Sequence, residues 1–203
     1  MLVIKESNED CKNMELLDLI PIDELTPAGR LKRIRDELLQ SIKANKEQRL
    51  FGSALILLYA GIDIMASLTR PQNAKEVKNC DFKRWACEYL LPNSNLNCTE
   101  IDLYAARCGL LHSWSYDSRL SASGKARWIR YIFEDVDAVR RIMGKHEEQD
   151  TSIVVVKFDD LLEAFEKGTR KFLKSIENHP QNNTIIIERI NSELIFFPLL
   201  ITV

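Results

Sequence analysis

The run Gly52 to Leu68, GSALILLYAGIDIMASL, limits the possible folds more than any other stretch of the chain. It is about as long as one membrane span, yet Asp63 stands near its centre. A carboxylate at mid-bilayer costs roughly 2.5–3.5 kcal/mol or more. We therefore read the run as the core of a buried helix, extending from about Lys46 to Thr69 and stopped by Arg70-Pro71. Inside a protein, Asp63 needs a counter-charge or several hydrogen bonds. Arg107 is the natural partner, and the two side chains are expected to touch. The other apolar run, Leu194 to Val203, is too short to span and contains Pro198. With an N-terminus too acidic for a secretory signal, the expectation is a soluble cytoplasmic protein without a membrane partner.

Other helices pack around this one. Thr26-Pro27 is a start signal, because threonine caps free N–H groups and proline suits the first helical position. Leu31, Ile34, Leu38, Leu39 and Ile42 then recur at helical spacing to about residue 44. Asp81 to Leu90 places Phe82, Trp85, Ala86 and Tyr89 on one face of a short helix. A polar loop from Pro92 to Cys98 leads to Thr99, which caps a helix ending near His112, with Asp102 completing an imperfect capping box. A connection from Trp114 to Leu120 follows. The spacing of Trp128, Ile129, Ile132, Phe133, Val136 and Val139 predicts a fifth helix over Ser123–Met143, with Gly144 as its stop. Beyond a polar stretch, Ile153 to Val156 reads as a strand and Asp159 to Ile176 as an amphipathic helix. Thr184 to Ile190 and Leu194 to Val203 read as a hairpin or as strands that join another chain. The expected organisation is a lead-in at 1–25, a helical bundle at 26–145 and a C-terminal α+β extension at 146–203, part of the same unit or a dimerisation element.

Composition narrows the chemistry. The net charge of -2 leaves no overall basic field of the kind that marks many nucleic-acid binders. Cysteines at 11, 80, 87, 98 and 108 form no C-x-x-C pair and read as buried free thiols, so no metal is expected. There is no glycine-rich phosphate loop and no nucleophile elbow, and no cofactor is expected. His146 and His179 lie isolated in polar segments and read as surface residues.

Arg107 and His112 remain, near the end of an otherwise apolar helix. A buried guanidinium must be paired or reach a cleft. An imidazole exchanges protons near cellular pH, and arginine holds phosphate with a two-pronged hydrogen bond. Together they are the minimum parts for metal-free RNA cleavage. A five-residue step turns roughly 140° on a helix, so the two side chains do not share a face. Either the helix ends near Gly109 or a second chain completes the site. Cys108 beside His112 is set aside as a nucleophile because it lies on a buried helix. Ser113, Ser115, Tyr116 and Asp117 line the same cleft or simply a surface loop. Ser121, Ser123, Lys125, Arg127 and Arg130 form a small basic patch at the expected helix start, with Lys125 and Arg127 as weak phosphate binders.

Arg107-x-x-x-x-His112, on a helix that follows a long central helix, resembles the R-x(4–6)-H motif of the HEPN domain superfamily. The resemblance covers roughly Thr26 to Gly144. It implies a mainly α fold, a four- or five-helix bundle, commonly dimeric. It also implies one of two functions. Active members are metal-independent endoribonucleases of toxin–antitoxin and other defence systems. Others are non-catalytic modules that bind nucleotide, RNA or a protein partner. Carried over, Arg107 and His112 are the catalytic pair, repeated across a homodimer, with Asp63 orienting the arginine. Many active members carry a polar residue directly after the arginine; here it is Cys108.

Overall fold

The computed structural model describes residues 24–195, except 93, 135–140, 142–143 and 146–149. The chain is mainly helical with a small two-stranded parallel sheet. In order the elements are α1 (Pro27–Glu47), α2 (Phe51–Leu68), α3 (Asn79–Trp85), a π-helical turn (Ala86–Leu90) and α4 (Glu100–Ser113). They continue with a single-turn α5 (Arg119–Ala122), β1 (Trp128–Ile132), β2 (Ile153–Lys157), α6 (Phe158–Asn178), a 3-10 turn (Pro180–Asn183) and α7 (Thr184–Ser192).

Residues 38–172 form one compact unit, and the described parts of 1–37 and 173–203 form another. The sheet lies within the first unit and joins residues on both sides of the expected boundary near 145.

The larger unit is built around α2. Ala54, Leu58, Tyr59, Ile62, Met65, Ala66 and Leu68 are fully buried. Each buried leucine or isoleucine contributes about 1.5–3 kcal/mol of burial free energy. By length and composition α2 is apolar enough to cross a membrane, but half of it is buried within the protein. Aromatic contacts fasten its start: Phe51 stacks on Phe133 at 4.4 Å, and Phe133 stacks on Phe158 at 4.9 Å. The buried hydroxyl of Tyr59 hydrogen-bonds that of Tyr131, tying α2 to β1.

The smaller unit buries Leu25, Ala28, Leu31, Leu173, Ile176 and Ile190. Thr26 accepts the Gly29 N–H at 3.1 Å, as its capping role requires. Arg30 donates to Asn191 at 3.2 Å.

Two expectations of secondary structure fail. The fifth helix is replaced after Gly124 (φ +69°) by β1, which pairs in parallel with β2 from Trp128↔Ile153 to Ile132↔Lys157. Trp-Ile-Arg-Tyr-Ile fits a short strand as well as a helix, and a β-branched partner segment decides for strand. The remainder of that predicted helix falls largely outside the described residues. The predicted strand at Thr184–Ile190 lies within helix α7, Thr184–Ser192. Ile186 and Ile190 share one helical face, with Ile190 fully buried, so packing overrides β propensity. The lead-in through residue 23, Cys11, His146 and the run from residue 196 lie outside the described residues. His179 is exposed. Cys80, Cys87, Cys98 and Cys108 are free thiols, but Cys80 and Cys87 are exposed where burial was expected.

Candidate active site

Local capping explains why α4 starts where it does. Asp102 N–H donates to Thr99 Oγ1 at 3.2 Å, and Thr99 N–H donates to Asp102 Oδ2 at 2.9 Å. Asp102 also accepts the Arg127 backbone N–H at 2.7 Å and its guanidinium at 2.8 Å. Burial opposes the Asp102 charge, but the hydrogen bonds from Thr99 and Arg127 outweigh it and hold the carboxyl below the ordinary range.

A depressed carboxyl pKa stabilises the fold above the unfolded value of about 3.9, and that stabilisation is lost as pH falls through the folded value. Asp102→Asn is therefore expected to lower stability at neutral pH by roughly 1–3 kcal/mol. Urea titrations should show this gap narrowing below about pH 4. A gap of constant size down to strong acid would contradict the assignment.

At its other end α4 runs through Ser113 and turns at Trp114, whose φ of 50° and ψ of 36° are left-handed. That conformation costs a non-glycine residue about 1–2 kcal/mol. The N–H groups of Trp114 and Ser115 donate to the carbonyls of Leu110 and Gly109, both at 3.1 Å. The chain then folds back along α4. A Cβ placed on Gly109 would come within 2.6 Å of the carbonyl oxygens of both Ser115 and Asp117. Only glycine leaves room for this return.

The pairing expected from burial is present. Arg107 Nε donates to Asp63 Oδ2 at 2.8 Å, and Nη2 lies 2.8 Å from the same oxygen. Side-chain exposures of 21% and 25% place the pair mostly out of water but open on one side. Burial raises the Asp63 carboxyl above its usual range, and the Arg107 contact offsets only part of this. For Arg107, burial disfavours the charge but the Asp63 contact outweighs it, so its pKa lies above the ordinary arginine value. The result is a firmly charged guanidinium beside a carboxylate that takes a proton more readily than an exposed aspartate.

The predicted obstacle between Arg107 and His112 does not arise. The helix is unbroken through Ser113, and Arg107 Nη1 lies 3.1 Å from His112 Nε2 within one chain. The long arginine side chain spans the angular gap that separates the two Cα positions. Arginine only donates, so His112 Nε2 must accept here and Nδ1 must carry the ring proton. Asp63 therefore holds the Nε–Nη2 edge while Nη1 forms the outward arm.

An open pocket of about 410 Å³ meets the Asp63–Arg107 pair, lined by these two with Ser67, Lys78, Phe82 and Tyr104 among others. His112 is exposed and meets the lining through Arg107. Cys108 interacts with both Tyr104 and Arg107; burial and this neighbouring thiol push the Tyr104 hydroxyl up to about 12.

Comparison with protein-family models, curated proteins and solved structures finds no match to this chain.

Asp63, Arg107, Cys108 and His112 are brought together. Ser113 instead donates its hydroxyl to the Gly109 carbonyl at 2.9 Å. Tyr116 lies under the Arg130 guanidinium at 4.3 Å. Lys125 and Arg127 line a different pocket with Thr99, Asp102 and Ser121. Arg127 is held there by Asp102 and the Asn97 carbonyl, and the helix start that was to bind phosphate is absent. Lys78 escaped the sequence reading because nothing in its spacing joins it to Arg107, whereas Tyr104 stands three positions before Arg107 on the same helix, a spacing that sets the two side by side. Trp114, expected only as part of a connection, caps the end of α4 and is 65% exposed.

Proposed function

We propose that the protein is a metal-independent endoribonuclease of the HEPN type, a homodimer that serves as a toxin or defence component. The observation that carries this reading is the hydrogen-bonded chain Asp63–Arg107–His112 at an open pocket. Asp63 orients the guanidinium. An RNA phosphate draws the Nη1 arm away from His112, which frees Nε2 to take the proton of the 2′-hydroxyl. The 2′-oxygen attacks phosphorus, Arg107 stabilises the charge that builds on the phosphorane oxygens, and the P–O5′ bond breaks. The products are a 2′,3′-cyclic phosphate and a 5′-hydroxyl whose proton comes from a second general acid. One imidazole serves one proton transfer at a time, and the His112 of a second copy is the natural source of the other. The dimer rests on this requirement and on the family resemblance, no longer on the reach of Arg107.

A second reading, a non-catalytic module binding RNA, nucleotide or protein, is favoured by Cys108. Its half-buried thiol stands where active members of the resembled family often carry a stronger hydrogen-bonding group.

The test is incubation of single-stranded RNA with wild type and with His112→Ala in chelator-containing buffer. Cleavage by wild type to cyclic-phosphate ends, lost in the variant, is the expected result. Equal cleavage by both would reject the catalytic role of His112. RNA bound but uncut by wild type would favour the binding module.

A further inference from the structure

We infer that the turn after His112 is a base-stacking platform for single-stranded RNA, formed by Trp114 and Tyr116. The inference rests on the RNA reading of the Arg107–His112 site and adds to it where the flanking nucleotides lie.

Three observations carry it. Trp114 and Tyr116 are 65% and 61% exposed, among the most exposed large apolar side chains described. Water disfavours such exposure, and a π-face open to solvent suits a nucleobase. The rings are also held in place rather than loosely displayed. Trp114 occupies a left-handed turn closed by two backbone hydrogen bonds. Its ring sits against Gly52, where an added Cβ would come within 2.5 Å of the indole. Gly109 admits the returning backbone of Ser115 and Asp117. A left-handed tryptophan is unfavourable on its own, so the fold holds the ring there against a local cost.

The third observation is charge. The chain carries a net charge of -2, yet Arg119, Lys125, Arg127 and Arg130 follow the turn against a single acid, Asp117. Asp117 accepts the Trp128 indole N–H at 3.1 Å. Arg127 is taken by Asp102. Arg119, Lys125 and Arg130 have no carboxylate partner among the described residues. The Arg130 guanidinium stacks on one face of Tyr116, 4.3 Å from the ring centroid. Guanidinium donors beside open rings match the phosphates and bases of one strand.

The placement also fits a strand that crosses the catalytic pair. Asp63 meets Arg107 and Gly52 meets Trp114, so α2 and α4 run antiparallel. Gly52 and Asp63 are about 16 Å apart along α2, a distance spanned by a few nucleotides, with His112 between the two contacts. One or two bases stack on Trp114 and Tyr116 while a phosphate reaches Arg107.

The test uses a fluorescein-labelled 2′-O-methyl single-stranded oligonucleotide, which lacks the attacking hydroxyl and cannot be cut. Binding is followed by fluorescence anisotropy with wild type, Trp114→Gly, Trp114→Phe and Tyr116→Ala. Glycine suits the left-handed turn, so the helix end survives while the ring is lost. Trp114→Gly is expected to weaken binding roughly 5- to 100-fold, with Tyr116→Ala in the same direction and Trp114→Phe close to wild type. Unchanged affinity in both Trp114→Gly and Tyr116→Ala, or no binding by wild type, overturns the platform. If Trp114→Gly instead splits a wild-type dimer in sedimentation and leaves oligonucleotide affinity unchanged, the ring is a contact between copies and the inference is wrong. Loss of the nuclease reading is seen separately: equal cleavage by wild type and His112→Ala leaves a Trp114-dependent affinity standing.

Discussion

Arg107→Lys is expected to lower RNA cleavage by roughly 10²–10³-fold, the usual cost of removing one positioned donor from a developing phosphorane charge. The guanidinium is divided between two partners. Its Nε–Nη2 edge is occupied by Asp63, and Nη1 alone reaches His112. A lysine ammonium is a point charge that can keep the Asp63 contact but cannot hold a rigid edge there and extend a separate arm. The fold should survive, because the Asp63 charge keeps a partner and the site is open on one side. Melting temperature and cleavage rate should therefore separate: a small shift in the first, a large fall in the second. A lysine variant that cuts at the wild-type rate would show that Arg107 only neutralises Asp63.

Gly109→Ala should produce the largest loss of stability of any single methyl added in this region. The new Cβ would stand 2.6 Å from two carbonyl oxygens of the returning backbone, not from the end of a side chain that can swing aside. Overpacking of this kind costs roughly 1–3 kcal/mol, occasionally more. Alanine's helix propensity offsets about 1 kcal/mol of it. Either the variant melts earlier, or the 115–117 segment moves away from α4 and takes Tyr116 with it. The second outcome is visible as weaker oligonucleotide binding at nearly unchanged melting temperature. An alanine variant indistinguishable from wild type in both measurements would contradict the close approach.

Much of the site was legible before the fold was seen. A carboxylate within an apolar helix demands a partner, and Arg107 was the one arginine or lysine on the helix ending near His112. The contact follows from the cost of leaving either charge unpaired in low dielectric. The cap of α4 was legible for the same kind of reason. Thr99 and Asp102 act over three residues, and local hydrogen bonds depend little on the rest of the chain. What failed was any expectation that depended on distant partners. Trp128 to Ile132 became a strand because Ile153 to Lys157 lies alongside it. Thr184 to Ser192 became a helix because its apolar face buries Ile190. Arg127, read as a phosphate binder, is claimed by Asp102 across 25 positions of sequence.

The Arg107–His112 spacing shows the division within a single motif. Helical periodicity placed the two Cα positions on different faces, and that remains true. It left open whether the side chains meet, since side-chain reach depends on what anchors the arginine. Asp63 on α2 supplies that anchor and turns Nη1 toward His112. The sequence alone thus determined the apolar helix, its demand for a counter-charge and the residues able to answer it, because burial costs and capping are local or pairwise. The tertiary structure decided the strand pairing, the role of Arg127, the fold-back at Gly109 and the exposure of Trp114. Each of these depends on which other segment of the chain shares a partner or a space with the residue in the folded state.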